Sequence, residues 1–469
     1  MRYVSTRGTA PELGFADVLL AGLARDGGLY VPAEIPRFDD ARWDSMRDLA
    51  YVPMAVEVMW PFVEGDIERA DFERIVTDAY ASFSAPDVTP ISHLSGDTYV
   101  LELWHGPTLA FKDVALQLVG RLFDHVLALR NERVFIIGAT SGDTGSAAID
   151  SVKNCDRVTI FIMHPAGRTS DVQRRQMTTV LEPNVFNLAV EGTFDDCQDL
   201  VKELFSDEVF RDEMHLSAVN SINWARVMAQ VVYYCYASLR LGGTANHPVD
   251  FSVPTGNFGN LFAAVVAKRM GAPVGRLIIA SNSNDILTRF VDSGVMRQTG
   301  VVETLSPSMD IQVSSNFERF LYDVCGRDGV QVADRMAQFR STGEIVFSPS
   351  EMAEVRSWFA AASFDDDETT MLMADSFAHG VTLDPHTAVA VGAAKRFARA
   401  GTPMVVVGTA HPAKFPKAVE RATGISPTLP AHLADLFDRP ERYETVAVDV
   451  EEIKKYIRRI RSEDRGVER

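Results

Sequence analysis

The chain has 469 residues and a formal net charge of −18, with 46% hydrophobic and 23% charged residues. This length exceeds one ordinary core and the composition is that of a folded globular protein, so we expect two or three domains. The acidic balance argues against a nucleic-acid partner, because binding to a phosphate backbone needs a basic surface. The N-terminus lacks the apolar core of a signal peptide and no apolar run is long enough to span a membrane, so we expect a cytoplasmic protein with no membrane partner.

The cysteines and histidines form neither a metal-binding nor a disulfide pattern. Four cysteines and ten histidines are scattered along the chain, without CxxC or HExxH. Widely spaced thiols of this kind are typical of a reducing compartment. We therefore expect no metal site and no disulfide framework.

Helical patterning dominates the first part of the chain. Residues 15–24 and 72–83 carry apolar residues at helical spacing, and the proline-containing stretch 84–94 follows them. Proline-containing stretches of this kind interrupt regular structure and often separate domains. The sequence thus predicts a mostly helical N-terminal domain over residues 1–95.

Strands alternate with helices in the rest of the chain, residues 96–469. Short apolar strands are predicted at 98–104, 133–140, 158–163, 185–190, 249–256, 276–282 and 403–410. Helices are predicted at 112–129, from about 144, and at 170–180, 195–205, 221–241, 260–271 and 385–401. This alternation predicts parallel or mixed sheets with helices on both faces, in two α/β subdomains of which the smaller lies around 120–230. Segment 296–380 is expected to be irregular, except for a helix start with solvated aspartates at "SFDDDETT".

The stretch "WHGPTLAFKDVALQ" places Lys112 among apolar neighbours. Lysine is rarely buried unless it is paired or used, so a lysine that opens a helix and extends to water is one interpretation. The other is a desolvated lysine, whose lowered pKa makes the amine a nucleophile able to form a Schiff base. The position alone leaves both open.

Two glycine-containing loops follow predicted strands and open helices. Loop 140–146, "TSGDTGS", offers more hydroxyls and glycines at a positive helix end than capping requires. Loop 254–260, "PTGNFGN", carries Gly256 and Gly259, which allow the backbone to wrap an oxyanion. It matches neither GxxxxGK[ST] nor GxGxxG, so a small phosphate ester fits better than a nucleotide.

A second anion site is predicted at "SINWAR", residues 221–226. Ser221, Asn223 and Arg226 lie in the first turns of a predicted helix, where an arginine and the helix N-terminus both favour an anion. A capped helix with a surface arginine is an equally good interpretation of the motif alone.

The lysine and the phosphate-binding loop together indicate a cofactor. Pyridoxal phosphate supplies an aldehyde for the amine and a phosphate for the loop. Neither feature alone predicts this cofactor well. Both together favour it over a metal ion or a nucleotide.

Several motifs occur together along nearly the whole chain, namely "YVSTRG", "GLARDGGLYVP", "HGPTLAFKD", "ATSGDTGSAA", "SINWARVMAQ", "PTGNFGN" and "GTAHPAKF". In this combination the chain resembles the long-form threonine synthases, in the serine/threonine dehydratase group of pyridoxal-phosphate enzymes. The resemblance implies fold type II, which has two doubly wound parallel or mixed-sheet domains with the cofactor between them. It also implies an extra N-terminal domain.

The resemblance implies a role for each matching residue. Lys112 matches the catalytic lysine that binds the cofactor, and Thr409 matches the hydroxyl that faces the pyridine nitrogen. Asp143 stands where many relatives have an asparagine beside the cofactor's 3-oxygen. The implied cofactor-binding residues are Lys112, Asp143, Gly256, Asn257, Phe258, Gly259, Asn260 and Thr409. The implied substrate-binding residues are Thr140, Ser141, Thr144, Ser221, Asn223 and Arg226.

The implied reaction converts O-phospho-L-homoserine and water to L-threonine and phosphate, the last step of threonine biosynthesis. We expect this small molecule to be the main partner of a monomer or a homodimer. Three alternatives stay open: a phospholyase or dehydratase of the same cofactor group, a non-catalytic phosphate-ester-binding relative, and a metal-dependent phosphatase. The last is disfavoured because the carboxylates are not clustered.

Overall fold

The computed structural model describes residues 1–140, 142–217 and 221–467, with side chains to residue 462. Its strands are β1 Tyr3–Ser5, β2 Tyr30–Pro32, β3 Ile91–Ser95, β4 Thr98–Glu102, β5 Val134–Ala139, β6 Val158–Pro165, β7 Val185–Val190, β8 Leu216–Ser217, β9 Val249–Pro254, β10 Val274–Ser281, β11 Val295–Arg297, β12 Glu344–Val346, β13 Phe359–Ser363, β14 Met404–Gly408 and β15 Glu444–Val446.

The α-helices of these described residues are α1 Phe15–Ala21, α2 Asp40–Met46, α3 Tyr51–Val63, α4 Arg69–Tyr80, α5 Lys112–Arg130, α6 Asp143–Val152, α7 Asp171–Thr178, α8 Phe194–Ser206, α9 Glu208–Met214, α10 Trp224–Arg240, α11 Gly259–Arg269, α12 Ile286–Ser293, α13 Phe317–Val324, α14 Gly329–Thr342, α15 Pro349–Trp358, α16 Asp366–Ala378, α17 Pro385–Phe397, α18 Pro416–Thr423 and α19 Val450–Val467.

The chain divides into two units. The large unit comprises residues 1–118 and 221–428, and the small unit comprises residues 119–220 and 429–469. The C-terminal residues of the small unit are far in sequence from the rest of it, and this return of the chain was not foreseen. The division of the sequence at residue 95 stays a prediction.

A six-stranded mixed sheet forms the centre of the large unit. Its order is β13–β10–β9–β14–β4–β3, in which β3 runs antiparallel to β4 and the other neighbours are parallel. The inner strands β10, β9 and β14 are buried at nearly every residue, as expected where helices cover both faces.

Two adjacent residues of β9 show that this sheet is covered on both faces. The Ser252 hydroxyl donates a hydrogen bond to the Ala390 carbonyl in α17 at 2.7 Å. The preceding residue, Phe251, packs edge-on against Tyr234 of α10, with the two ring centroids 5.0 Å apart. Consecutive strand side chains point to opposite faces, so α17 and α10 lie on opposite sides of the sheet. This confirms the predicted doubly wound arrangement of the large unit.

The small unit has a five-stranded parallel sheet in the order β15–β7–β6–β5–β8. One face packs on apolar side chains of α8, α9 and α19, including Leu200 and Ile457. On the other face, the Asn187 side chain donates to the Met177 carbonyl in α7 at 3.1 Å. The predicted α/β class is therefore confirmed for both units.

Most predicted elements have close counterparts in the structure. The first 95 residues contain α1 to α4, the small antiparallel pair β1 and β2, and the edge strand β3 of the large sheet. Helices are the main regular structure there, as predicted. The prediction for segment 296–380 was wrong, because this segment forms α13 to α16 and supplies the edge strand β13. Helices α14 and α15 each bury only two residues and α16 only three, and β13 consists mostly of small residues, so these elements give no strong apolar periodicity.

The helix start predicted at "SFDDDETT" is confirmed. The Asp365 carboxylate accepts the backbone N–H of Glu368 at 2.8 Å, and the Glu368 carboxylate accepts the backbone N–H of Asp365 at 2.9 Å. This reciprocal capping box satisfies two N–H groups of the first turn of α16. Asp365 therefore serves the helix end, whereas the Asp366 carboxylate accepts the Leu305 backbone N–H at 3.0 Å.

All four cysteines are free and buried. Burial raises the pKa of Cys155 to about 12 and that of Cys197 to about 11, and it also raises the pKa of Cys235 and Cys325. Because only the thiolate attacks Ellman's reagent, we expect almost no reaction of the native protein at pH 8. Four thiols should appear after denaturation in guanidinium chloride. A thiol that reacts within seconds in the native protein would contradict this expectation.

The described residues contain neither a membrane-spanning helix nor a metal-binding cluster of side chains. Among them, no helix combines the length and the apolar character needed to cross a membrane. In the same residues, no group of three or more His, Cys, Asp or Glu side chains is arranged to hold a metal ion.

Candidate active site

Three predicted site elements follow neighbouring strands of the large sheet. The lysine-containing turn comes after β4, the glycine turn 256–260 after β9, and Thr409 directly after β14. Since β9, β14 and β4 are adjacent and parallel, their carboxyl ends lie at one edge of the sheet. Ligands of open α/β sheets bind at that edge.

The turn before Lys112 is built around the Asp113 carboxylate. This carboxylate accepts the Thr108 backbone N–H at 2.8 Å and the Thr108 hydroxyl at 2.6 Å. Gly106 must stay a glycine here, because a Cβ atom at this position would lie 2.4 Å from Cβ of Asp113. The turn therefore fixes the residue from which α5 and the lysine side chain start.

A short antiparallel bridge joins this turn to the end of β14. The Phe111 N–H donates to the Thr409 carbonyl at 2.8 Å, and the His411 N–H donates to the Leu109 carbonyl at 3.0 Å. The lysine turn and Thr409 are thereby held side by side.

Lys112 is the first residue of α5, and only 7% of its surface is exposed to solvent. Its amine donates a hydrogen bond to the Ser308 hydroxyl at 3.3 Å, and it lies 5.5 Å from the centre of the Phe111 ring. The interpretation in which the stem extends to water is therefore wrong. The large unit keeps this amine away from bulk solvent, as its apolar neighbours indicated.

The carbonyl groups of the glycine turn are bound by segment 314–316. The Gly256 carbonyl accepts the Ser314 hydroxyl at 2.6 Å, and the Asn257 carbonyl accepts the Asn316 backbone N–H at 3.1 Å. In a trans peptide the next N–H points opposite to the carbonyl. The N–H groups of Asn257 and Phe258 are therefore directed away from this segment, together with those at the N-terminus of α11.

Phe258 and Asn260 give the turn its shape. Phe258 has a φ of +63°, a left-handed conformation that reverses the chain before α11 begins at Gly259. The Asn260 side-chain oxygen accepts the hydroxyls of Tyr233 and Tyr234, the latter at 2.7 Å. Its side-chain nitrogen is buried and has no hydrogen-bond partner among the described residues. A buried donor without a partner is costly, and an anion at the turn would satisfy it.

Gly256 also contacts the segment that holds Ser308. A Cβ atom at Gly256 would lie 2.6 Å from the Ser308 carbonyl oxygen, so no side chain fits there. Ser308 thus meets the lysine through its hydroxyl and the glycine turn through its backbone. The structure brings Lys112 and the predicted phosphate loop to one residue that the sequence analysis did not identify.

Asn316 joins the glycine turn to the "SINWAR" segment. Its side-chain nitrogen donates to the Ser221 carbonyl at 3.0 Å and to the Asn257 carbonyl at 3.1 Å. The two predicted anion-binding segments are therefore held at a fixed spacing by one side chain.

Arg319 extends this connection to the N-terminal residues. Its guanidinium donates to the Tyr30 carbonyl at 2.9 Å and to the Ile222 carbonyl at 2.6 Å. Beside it, the Glu318 carboxylate accepts the Arg7 guanidinium at 2.8 Å and the Thr6 hydroxyl at 2.6 Å. The N-terminal segment "STRG" thus helps to fix α13, which contains Arg319 and has Asn316 as its N-cap residue next to the site.

Asn223 and Arg226 have different surroundings. Asn223 caps α10 by accepting the Ala225 N–H at 3.0 Å, and its amide donates to the Leu19 carbonyl at 2.8 Å. Arg226 is 4% exposed, and its Nε and Nη1 atoms have no hydrogen-bond partner among the described residues. Burial lowers the pKa of Arg226 to about 10, so it remains a cation at neutral pH. The surface-arginine interpretation of this motif is wrong.

The remaining predicted residues belong to the small unit. The Thr140 hydroxyl accepts the N–H groups of Gly142 at 3.0 Å and Gly145 at 2.9 Å, which shapes the turn that opens α6. Asp143 is buried and its carboxylate accepts the Gln173 side chain at 2.8 Å. Thr144 is partly buried in the first turn of α6, and Ser141 lies outside the described residues.

The chemistry of the large-unit site fits pyridoxal phosphate. It offers a buried amine, a glycine turn with outward N–H groups, a buried amide donor at Asn260, and a position at Gly256 that a side chain would fill. The family model for pyridoxal-phosphate-dependent enzymes matches residues 85–339. The fold and the site therefore define an enzyme of this cofactor class.

Two further family models and several relatives specify the family. The threonine synthase N-terminal model matches residues 2–80, and the C-terminal model matches residues 387–457. Threonine synthase of Pseudomonas aeruginosa is 53% identical and is covered over 98% of its length by 97% of this chain. That of Corynebacterium glutamicum is 41% identical, with 98% of its length and 97% of this chain covered. The chain belongs to the threonine synthase family.

Solved structures agree with this assignment. The pyridoxal-phosphate-bound threonine synthase of Brucella melitensis matches with a TM-score of 0.96 and 51% identity, covering 98% of this chain and 99% of that one. Yeast threonine synthase matches with a TM-score of 0.93 and 37% identity, over 98% and 99% of the two chains.

Proposed function

We propose that the protein converts O-phospho-L-homoserine and water to L-threonine and phosphate, with pyridoxal phosphate bound at Lys112. The observation that carries this proposal is that the buried Lys112 amine and the Gly256 turn both contact Ser308. Relatives named threonine synthase, with up to 53% identity over nearly the whole chain, support the same reaction. In the net change, the Cγ–O bond to phosphate is replaced by a Cγ–H bond, and one Cβ–H bond is replaced by a bond to the hydroxyl group derived from water.

Lys112 has two proposed tasks. When bound, pyridoxal phosphate supplies an aldehyde for an amine and a ring that delocalises negative charge from the substrate α-carbon. The Nζ atom of Lys112 holds the cofactor, and after the substrate amine replaces it, the same atom removes the α-proton. Its burial keeps water from competing for that amine.

The phosphate of the cofactor and the phosphate of the substrate are assigned to different segments of the chain. The N–H groups of residues 256–260 bind the cofactor phosphate at the N-terminus of α11. Arg226 binds the substrate phosphate, with Ser221 and Asn223 beside it, and its unsatisfied guanidinium nitrogens support this assignment. The Thr409 hydroxyl would bind the ring nitrogen of the cofactor.

The small-unit residues are proposed to bind the substrate's amino-acid end. Thr140, Ser141 and Thr144 would supply hydroxyl and backbone groups there, and Asp143 would bind the 3-oxygen of the cofactor. We also propose a cytoplasmic location, supported by the four free thiols, and a monomeric or homodimeric state.

The function is tested by product analysis of the cofactor-loaded protein. We expect O-phospho-L-homoserine to change the visible absorbance and to yield threonine and phosphate in equal amounts. Release of ammonia and 2-oxobutanoate instead would identify a phospholyase. Binding of the substrate without any change in absorbance would identify a non-catalytic relative.

A further inference from the structure

Ser308 is the meeting point of the candidate site, yet no residue pattern singles it out. Its hydroxyl accepts the Lys112 amine at 3.3 Å, its carbonyl packs on Gly256, and its backbone N–H donates to Nε2 of His386 at 3.2 Å. One residue therefore contacts the reacting amine and the phosphate turn, and a third group holds its backbone in place.

The hydrogen bond from Ser308 determines the tautomer of His386. Because Nε2 accepts a backbone N–H, the ring proton lies on Nδ1. Nδ1 is 2.9 Å from the Asp384 carboxylate and donates to it. His386 and Asp384 are both buried, and the imidazole ring packs on Phe415 with centroids 4.9 Å apart. The imidazole is thus fixed at both nitrogens and by packing.

The Asp384 carboxylate also reaches the other side of the site. The Thr387 hydroxyl donates to Asp384, and it accepts the Thr409 backbone N–H at 3.2 Å. Through His386 and Thr387, one buried carboxylate at the N-terminus of α17 positions both Ser308 and Thr409. A helix cap alone requires only that the Asp384 carboxylate accept the first N–H groups of α17.

A second buried cluster fixes the same segment from the other direction. The Asp310 carboxylate accepts the side chains of Asn282 at 2.7 Å, Asn284 at 3.0 Å and Thr304 at 2.7 Å. Ser308 lies in the 3-10 turn Pro307–Met309. Asp310 follows this turn directly, and His386 accepts the Ser308 backbone N–H. The position of Ser308 is therefore determined from both sides, which is typical of a group that must be preorganised.

We propose that Ser308 is a further catalytic residue, whose hydroxyl orients the Lys112 amine, and that His386 and Asp384 are positioning residues that act through it. This inference rests on the proposed function, in which the Lys112 amine removes the α-proton. One N–H of the neutral amine is used in the bond to Ser308, which restricts rotation about the Cε–Nζ bond. The lone pair then has a defined direction toward the substrate.

The first test compares Ser308→Ala with Ser308→Thr in the cofactor-loaded protein. We expect Ser308→Ala to lower kcat by about 10- to 100-fold, within the range of a misoriented base, with KM and the cofactor dissociation constant within about twofold. The deuterium isotope effect on kcat with α-deuterated substrate should rise, because α-proton removal becomes rate-limiting. Ser308→Thr keeps the hydroxyl and should restore most of kcat. Ser341→Ala removes an exposed hydroxyl in α14 and serves as a control.

The second test uses a matched pair at His386. Glutamine places its amide oxygen near the position of Nε2 and can still accept the Ser308 N–H, whereas asparagine reaches only Asp384. Both lose the ring contact with Phe415. We expect His386→Asn to lower kcat about tenfold with a raised isotope effect, and His386→Gln to keep at least half of kcat.

The outcomes separate this inference from the proposed function. A wild-type protein that makes no threonine contradicts the proposed function, while exchange of the α-hydrogen with D₂O still reports on Lys112 and Ser308. Unchanged kcat in Ser308→Ala overturns the inference. Loss of kcat together with weaker cofactor binding and an unchanged isotope effect also overturns it, since this shows a purely structural role. If Ser308→Ala does not fold, equal activities of the two His386 variants overturn the inference.

Discussion

Lys112→Ala is expected to lower the rate of threonine formation by at least about 10³-fold, because one side chain supplies both the nucleophile for the cofactor and the base for the α-proton. The wild-type protein should be yellow, and borohydride reduction followed by peptide mass analysis should place the cofactor on Lys112. The variant should lose this covalent label. Its folded structure should persist, because alanine is a good helix former at the start of α5.

Two controls make this prediction specific. Lys112→Arg keeps a positive charge but cannot form the Schiff base, so it should be as inactive as the alanine variant. Lys395→Ala removes an exposed lysine of α17 that pairs with Asp375, and it should leave turnover unchanged. Near-normal turnover in Lys112→Ala, or a label on another lysine, would contradict the proposed role.

Arg226→Met is expected to lower kcat/KM for O-phospho-L-homoserine by about 10²- to 10³-fold, the effect of removing one partner of a buried ion pair. The α-hydrogen exchange of an amino acid without phosphate should change little. The thermal midpoint of the ligand-free variant should rise, because burial opposes the charge of Arg226 and two of its nitrogens lack partners among the described residues.

The combination of weaker substrate binding and higher stability distinguishes an anion site from a structural arginine. A structural arginine would give a lower thermal midpoint on substitution. Arg226→Lys keeps the charge without the planar guanidinium, so it should recover part of the lost activity. An equal loss with phosphorylated and unphosphorylated substrates would contradict the assignment.

The strands and long helices could be predicted because most of their residues are buried and therefore apolar. Strand β6 is buried along its whole length and is mostly apolar, whereas in the equally buried β9 the polar residues Asp250 and Ser252 alternate with apolar ones. The prediction for residues 296–380 was wrong because α14, α15 and α16 bury only two or three residues each, so their sequences carry little apolar periodicity.

The roles of Ser308 and His386 could not be predicted from local sequence. "DPHT" signals a helix start through Asp384 and Pro385, but it does not indicate what the imidazole binds. The bond between Lys112 and Ser308 joins residues 196 positions apart, and that between Ser308 and His386 joins residues 78 apart. Similarly, Asn316 and Arg319 bind carbonyl groups, which carry no side-chain identity that a motif would show.

The sequence by itself determined the α/β class, the family and the lysine and glycine turns, because apolar periodicity and short motifs depend on neighbouring residues. Only the tertiary structure decided that the Lys112 amine is buried, that Ser308 joins it to the glycine turn, and that Arg226 is buried with unsatisfied nitrogens. The physical reason is that adjacent parallel strands bring distant turns to one edge of the sheet. The resulting contacts depend on chain topology rather than on the local residue pattern.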